Sequence, residues 1–599
     1  MATFGILAVA GMLWNANRTP RGVILPDLKL TQLTINSPEN LVSGGLISPD
    51  GKYLAYADEK RIHIKVIGAD EVQTVHQPES LKDHPVKWEI AAWFPDSVKF
   101  VVTAHPADET LYDWSSDTAS IWVVSVLGGA PSRLRDHAVA YAVSPDGSSI
   151  AFGTNNGRLD ERQIWLMATN GEQARKLYVA SENNGICCLY FFPDGKRISY
   201  TSTDDSGESL VAGDLKGGPV TTLIKPTDRK KMGGFSWLRD GWFIYTDPCD
   251  FARMGPDSPC NYWINRLDSC TGELLDKPRR LTNWFGAWIG GPSLTADGRR
   301  AAFLQLSGRG SSYMADLEAG GARLVNLRVF NLEAGGADGI NDWGADSKTV
   351  IVSQSRLGNY TIRKQPLNSE VQEPIVTSSP GGLEDAMLSP DGKWVIVQVQ
   401  SDAPDLHANL LRISIAGGTP ELIFTIPLWG STQCARHPST LCAVAEQTED
   451  RKQMTITSFD PVNGRGAELA KLDLSPAFAI SYMPPLWSIS PDGSRLAVAR
   501  GPKDPIEIRS LRGSPIQIVH PKGVNKLRAI VWEADGKGFF VTNITSPGSE
   551  LLHMDLQGNT QSLWKCNSDR CFGGPSPDGR HLAIYDWKVN ANIWMMENF

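Results

Sequence analysis

One short phrase, Ser-Pro-Asp-Gly followed by an apolar run, recurs along the whole chain and constrains the fold more than any other feature. It stands at Ser48-Pro49-Asp50-Gly51 before KYLAYA and at Ser144–Gly147 before SSIAFGT. It returns at Ser389–Gly392 before KWVIVQV, at Ser490–Gly493 before SRLAVAR and at Ser576–Gly579 before RHLAIYD. Weaker copies fill the gaps: FPDS at Phe94, FPDG at Phe192, LRDG at Leu238, TADG at Thr295, GADS at Gly344 and EADG at Glu533. Successive turn aspartates lie 43 to 57 residues apart, except for one gap of 101 that holds a degenerate copy, His437-Pro438-Ser439-Thr440. The count is therefore twelve units.

Within a unit, Pro presets φ for the first corner of a turn, Asp bonds its own backbone and Gly takes the left-handed position, which makes a tight hairpin. A short strand precedes the turn and an alternating strand follows it. After a variable loop comes a third strand, such as IHIKVI at 62–67, SIWVVSV at 120–126 or QIWLMA at 163–168. A small-residue turn then leads to a fourth strand with a Leu-rich end, such as PSRL, QARKL, PVTTL or PRRLT. Four strands in about 40–50 residues is the period of a β-propeller blade, and a lone blade cannot cover its two faces, so blades must stack in a ring.

The expected fold is all-β, a tandem β-propeller of about twelve four-stranded blades. At 599 residues the chain exceeds what one core supports. One ring of twelve would leave a wide hole, whereas two rings of six, or seven plus five, fit the usual range of about 4–8 blades. Three segments are expected: residues 1–27 as an apolar N-terminal segment and linker, 28–325 as a first propeller and 326–599 as a second. With six and six, the chain is expected to switch rings near Gly320–Asn331. The net charge is −8, and Lys and Arg are scattered, so the chain lacks the basic footprint of a nucleic-acid binder.

Residues 1–14, MATFGILAVAGMLW, are almost wholly apolar but short of the ~20 that span a bilayer. They read as the end of a membrane anchor, with an export signal or a plain N-terminus as alternatives. The segment LKLTQLTI at Leu28–Ile35 has the pattern of a fourth strand with no first three before it, and NIWMMENF at Asn592–Phe599 that of a third strand with no fourth after it. A ring hides its sheet edges by joining such ends. Leu28–Ile35 is thus expected to pair either with the C-terminus or with SSYMADL at Ser311–Leu317.

Nine cysteines fall at local spacings. Cys249 with Cys260 or Cys270, Cys434 with Cys442, and Cys566 with Cys571 could form short disulfides of the kind found outside the cytoplasm, beside a vicinal Cys187-Cys188; buried thiols are the alternative. Only His437 lies near such a pair, at Cys434, so the spacing does not point to zinc. There is no Gly-x-Ser-x-Gly, His-Glu-x-x-His, phosphate-binding loop or kinase signature. Asp204–Glu208 lacks the alternating oxygen ligands of a calcium loop and reads as a solvated hairpin tip. Trp93, Trp237, Trp343, Trp487 and Trp532, each beside a turn, read as packing between blades rather than as a channel lining.

The repeats resemble the WD-like, TolB-type propeller family. LTQLTINSPENLVSGGLISPDGKYLAYAD, SIWVVSVLGGAP, PRRLTNW, SPDGRHLAI and NIWMMENF look most like the propeller region that follows the membrane anchor of some bacterial serine/threonine kinases and winged-helix regulators. The similarity covers about residues 28–599, and the kinase or winged-helix domain is absent from this sequence. It implies a module on the periplasmic face of the membrane that senses or binds a protein or small ligand, with tethering through residues 1–14. The expectation is a binding protein and not an enzyme, with no cofactor, no catalytic or metal residues and no nucleic-acid partner; the alternative is a soluble TolB-like periplasmic interaction scaffold of an envelope complex. The ligand-binding residues and oligomeric state are left open.

Overall fold

In the computed structural model, the described residues are 28–599 apart from 38–39, 108, 110–114, 158–160, 183, 205–206, 226–232, 248–258, 269–270, 272, 331–338, 357–358, 370, 381–382, 401–406, 428–429, 449–451, 476–485, 514–515, 546–547 and 567–570. The proposed anchor in residues 1–14 lies outside them. Among the described residues there is no α-helix, only two 3-10 turns at Glu79–Leu81 and Arg239–Gly241.

Strands pair in chain order, antiparallel, into blades at 42–74, 86–136, 139–179, 185–224 and 235–280, then 339–380, 383–427, 431–473, 486–519 and 527–566. We number these blades 1–5 and 7–11. The recurring turn is built as its chemistry requires. In the first copy, the Ser48 hydroxyl donates to Asp50 Oδ1 at 2.7 Å and accepts from Tyr53 N at 2.9 Å, while Asp50 Oδ1 also accepts from Lys52 N at 3.0 Å. The same three bonds recur around Ser144, Ser389, Ser490 and Ser576, and with a hydroxyl from threonine around Thr295. Gly51 has φ 70°, a left-handed conformation that favours glycine, and the Arg300 guanidinium lies where a Cβ would stand.

Blades 6 and 12 are not built from contiguous chain. Two long strands, Arg300–Glu318 and His581–Glu597, pair without a break from Arg300↔Glu597 to Asp316↔His581. At one end, 300–306 and 591–597 are the middle strands of blade 6, flanked by Trp288–Ile289 and Ser293–Leu294 on one side and by Lys29–Gln32 on the other. At the opposite end, 581–586 and 311–316 are the middle strands of blade 12, flanked by Cys571–Pro575 and Arg323–Val329. The chain therefore passes between sheets inside a strand, at 307–311, and returns at 586–590. It does not switch near Gly320–Asn331.

The buried apolar side chains lie between blades and join them into two closed cycles. In the first, separate clusters connect blade 1 to 2, 2 to 3, 3 to 4, 4 to 5, 5 to 6 and 6 back to 1. In the second they run 7 to 8, 8 to 9, 9 through 10 to 11, 11 to 12 and 12 back to 7. The fold is a tandem propeller of two six-bladed rings.

Of the two partners expected for Leu28–Ile35, it takes the C-terminal one: Lys29–Gln32 pairs with Trp594–Glu597. The strand itself is mostly exposed, and the seam is held just past it. Leu33 is buried, with its N–H on Ile593 O at 2.8 Å, and the Thr34 hydroxyl donates to Asn592 Oδ1 at 3.1 Å and accepts from Ile593 N at 2.8 Å.

Candidate functional site

A closed ring still leaves one row of sheet edges open, the inner edges of the first strands around the central opening. In most neighbouring pairs of blades the first strands lie against one another, which places them innermost. Their outward-facing backbone groups are capped by side chains of the neighbouring blade. Trp93 Nε1 donates to Leu46 O at 2.9 Å, Trp343 Nε1 to Gly574 O at 2.9 Å and Trp532 Nε1 to Ser488 O at 3.1 Å. Ala140 N donates to Thr103 Oγ1 at 3.0 Å, Ile47 N to Ser293 Oγ at 3.1 Å and Leu388 N to Asp342 Oδ2 at 2.8 Å. Gln433 takes both roles, accepting from Ile489 N at 3.1 Å and donating to Trp487 O at 2.9 Å. Trp237 and Trp487 donate to Ser199 Oγ and Ser431 Oγ of the preceding blades. All five tryptophans therefore bind blade to blade, as their sequence positions suggest.

The two rims differ. In a four-stranded meander the first-to-second and third-to-fourth turns share one rim, and the second-to-third and inter-blade connections share the other. The first rim is laced together: Asp50 N bonds Ser97 Oγ at 3.1 Å, Ala296 N bonds Pro49 O at 2.8 Å, Arg300 Nη1 bonds Gly51 O at 2.9 Å and Arg495 Nη2 bonds Gly536 O at 2.7 Å. In the second ring Arg436 Nη2 reaches Asp342 Oδ1 at 2.6 Å, so Asp342 ties blades 7, 8 and 9. Its side chain is 10% exposed against 34% for Arg436. The second rim carries the longer connections, and in blades 6 and 12 the crossing strands stand in place of the second-to-third connection, so each ring gives its second rim to the junction.

Sequence reasoning missed a second recurring feature, a β-bulge in the innermost strand. Its unpaired residue is Ser43 in blade 1, Ala91 in blade 2, Tyr141 in blade 3, Cys188 with Leu189 in blade 4, Asn341 in blade 7, Glu384 in blade 8 and Arg528 in blade 11. Such bulges re-aim one side chain out of the alternating pattern and gather at functional sites. Ser43 and Cys188 are exposed despite lying on inner strands, and Glu89, 46% exposed, meets the buried His105 at 3.3 Å. In the second ring the Arg528 guanidinium lies 5.8 Å from the centre of the Phe572 ring on the next inner strand. The unpaired residues range from Ala91 and Leu189 to Glu384 and Arg528, so no residue type signals the bulge in sequence.

Two carboxylates on the second rim are displaced in opposite senses. Burial pushes Asp58 up, but hydrogen bonds from His63, Lys60 N, Asn40 and Arg61 N outweigh it and hold the group at about 2. His63 bridges Asp58 at 2.7 Å and Thr74 at 3.1 Å, so this corner is a clasp within blade 1. Asp586, in the crossing, is raised by burial, with Lys588 opposing.

Cys434–Cys442 and Cys566–Cys571 are disulfides, as their spacing suggests, and Cys260 is disulfide-bonded as well. Its two candidate partners, Cys249 and Cys270, lie outside the described residues. Asp204 and Gly207 pair across a hairpin end, with 205–206 outside the described residues. Among the described residues, no three His, Cys, Asp or Glu side chains converge as a metal site would require, and no helix is long and apolar enough to cross a membrane.

Fold and openings thus define a tandem β-propeller with two rings welded by crossing strands. The sequence matches no protein-family model and no curated protein. Solved structures similar to it include a putative TolB from Agrobacterium tumefaciens, 16% identical with a TM-score of 0.35, covering 47% of this chain and 99% of that one. The tricorn protease is 12% identical with a TM-score of 0.32, over 86% of this chain and 49% of that one. The Niastella koreensis GH74 enzyme is 10% identical with a TM-score of 0.32, over 91% of this chain and 90% of that one. At these identities and scores the likenesses bear on nothing beyond the fold, which the strand pairing establishes by itself. One expectation is corrected, on the ground of how a site can be assembled. Missing motifs were read as meaning that the chain is not an enzyme, yet propeller chains similar to it include enzymes. The inference fails because catalytic groups gathered from separate blades around an opening leave no contiguous sequence motif.

Proposed function

We propose that this protein is an extracytoplasmic interaction scaffold that binds a protein or small ligand, with sensing, as in the kinase-linked propellers it resembles, as its finer role. Its two binding units are taken as residues 28–325 and 326–599, except that the long strands are shared and Arg323–Val329 goes with the second ring, and they are tethered to the membrane through residues 1–14. The observation that carries the reading is the contrast between rims. One rim of each ring is laced by turn-to-turn bonds, whereas the other presents longer connections on a rigid frame, the arrangement in which recognition concentrates. Disulfide-bonded cysteines in both rings support a location outside the reducing cytoplasm.

The test is site-specific photo-crosslinking in intact cells, with the photoreactive residue at Gln77 or Ser181 on the loop rim and at Lys52 or Arg299 on the turn rim. Adducts to one partner from the loop rim and none from the turn rim are expected. Adducts from neither rim, or from the turn rim alone, overturn the reading. A membrane-impermeant thiol reagent, applied to cells with engineered surface cysteines, tests location separately.

A further inference from the structure

One of the twelve turns is fastened by a different bond. In ten of the other eleven units the turn aspartate accepts the N–H two residues on through Oδ1, which pins the corner. Blade 9 has neither the aspartate nor the glycine, and its turn reads ARHPSTL at 435–441. The closing bond, Ala435 N to Leu441 O at 2.8 Å, reaches one residue further along the chain than Ser48 N to Tyr53 O does in the first copy. Within it, Ser439 N donates to Arg436 O at 3.0 Å and Leu441 N to Ser439 Oγ at 3.3 Å. The covalent fastening stands at the base: Cys434 and Cys442 face each other as the last pair of the two strands, and their disulfide closes the turn.

What this turn carries is Arg436. Its N–H bonds Pro491 O, in the turn of blade 10, at 2.8 Å. Its guanidinium reaches past blade 8 to Asp342 Oδ1, on the innermost strand of blade 7, at 2.6 Å. Asp342 also accepts from Trp343 N through Oδ1 and from Leu388 N of blade 8 through Oδ2, both at 2.8 Å. One turn thus joins blades 7 to 10 around the second opening. A carboxylate as buried as Asp342 depends on its cation, because taking away one partner of such a pair leaves a charge with nothing to compensate it. The disulfide is also open to attack. Cys434 is half-buried, whereas Cys260, Cys442, Cys566 and Cys571 are buried, and it is the exposed disulfides of a protein that are labile and regulatory.

We propose that Cys434–Cys442 is a redox latch on the turn rim of the second ring, opened by a dithiol. A thiolate of the dithiol attacks Cys434 Sγ, the Cys434–Cys442 bond breaks, and Cys442 leaves as a thiolate that takes up a proton. The second thiolate of the reductant then attacks the reductant's own sulfur in the mixed disulfide, which closes a cyclic disulfide and releases Cys434 to take up the second proton. The protein gains two electrons and two protons, and the dithiol loses them. With the latch open, the turn lacks both the disulfide and the aspartate that fastens its counterparts. Arg436 then withdraws from Asp342, and blades 7, 8 and 9 lose their common tie.

The test titrates the full native chain with dithiothreitol and reads differential alkylation and hydrogen–deuterium exchange by mass spectrometry on the same samples. Cys434 and Cys442 are expected to be alkylated at lower dithiothreitol than Cys566 and Cys571. At that point the amides of 435–441, and those of Trp343 and Leu388 that rest on Asp342, should lose protection while the strands of blades 10 and 11 keep theirs, and reoxidation should restore it. Arg436→Ala in the oxidised protein should lose protection at Trp343 and Leu388. Reduction of Cys566–Cys571 at the same or lower dithiothreitol overturns the proposal, as does a reduced Cys434–Cys442 pair with Trp343 and Leu388 still protected. Protection lost throughout 339–566 overturns it too, because the bond is then a staple of the whole ring and not a latch. The wild-type titration decides by itself if the variant does not fold.

Discussion

The crossing strands are open to a test in which two physical effects predict opposite signs. Gly308 and Gly310 lie in the crossing opposite Val589 and Trp587, and neither glycine has a positive φ. At an ordinary strand position, replacing such a glycine by alanine stabilises by about 0.5–1 kcal/mol, because the unfolded chain loses freedom. At Gly308, however, a Cβ would fall 2.2 Å from Cζ2 and 2.3 Å from Cε2 of Trp587, an indole only 3% exposed. Those atoms belong to a rigid buried ring, which cannot swing aside as a flexible side chain would. Overpacking of this kind costs about 1–3 kcal/mol. The two terms leave Gly308→Ala net destabilising by roughly 0.5–2 kcal/mol, with Gly308→Val worse. In a Trp587→Ala background the clash is gone, and the same substitution should become neutral or stabilising, giving a coupling of about 1–3 kcal/mol in the double-mutant cycle. Urea unfolding followed by fluorescence, together with calorimetry, gives each corner of the cycle. Because both rings own these strands, loss of stability should appear in every resolved transition. A stabilising Gly308→Ala, or one whose effect is the same with and without Trp587, would show that the indole does not lie on the glycine.

Leu33→Ala should cost about 2–4 kcal/mol, the range for emptying a buried leucine site, and Thr34→Val about 1–3 kcal/mol by stranding Ile593 N; Leu30→Ala, at a 41% exposed position, serves as the control in thermal melts, and equal melting temperatures for all three refute the seam. The turn aspartates set an acid limit. At Asp146 and Asp297 the Ser144 or Thr295 hydroxyl leads in lowering the pKa, while at Asp50, Asp391, Asp492 and Asp578 burial pushes upward and the turn hydroxyl with backbone N–H groups outweighs it, taking Asp492 to about 2. A folded-state pKa below the unfolded one gives stability that is present above about pH 4 and drains away as pH falls through the lowered values, so melting temperature should drop between about pH 4 and 2; a flat profile there counts against the turn network. Asp586 runs the other way, since burial raises it and its contribution is lost as pH rises through the folded value. Asp586→Asn should therefore stabilise at pH 7 and make no difference near pH 3, and a variant less stable at pH 7 would contradict this.

Local chemistry made part of this legible. Ser48, Asp50 and Gly51 satisfy one another within a few residues, so the turn, and with it the blade period, is written in adjacent letters. The disulfides at Cys434–Cys442 and Cys566–Cys571 are legible for the same reason. Strand pairing across hundreds of residues is not local, and Leu28–Ile35 had two equally patterned partners. The crossing was hidden outright. SGRGSS at 307–312 and the polar letters of DWKVNAN at 586–592 look like loops, because glycine and asparagine usually mark turns. Here the glycines make room for Tyr585 and Trp587 in a continuous strand. The inner bulges were equally silent, since an unpaired residue is defined by its partner strand and not by its own identity.

Crossing strands also bear on how the chain can be made and cut. The first ring binds residue 34 to residue 592, 558 positions later, so it cannot close until residue 592 has been made. Until then its edges stay open, a long exposure for β-rich chain and one that delays folding of the first ring until residues 581–597 have been made. The second ring, for its part, needs Ser311–Asp316 from the segment that also serves the first. No single cut in the gene separates one complete ring from the other, and any truncation at the midpoint should yield two insoluble halves that recover only when mixed during refolding.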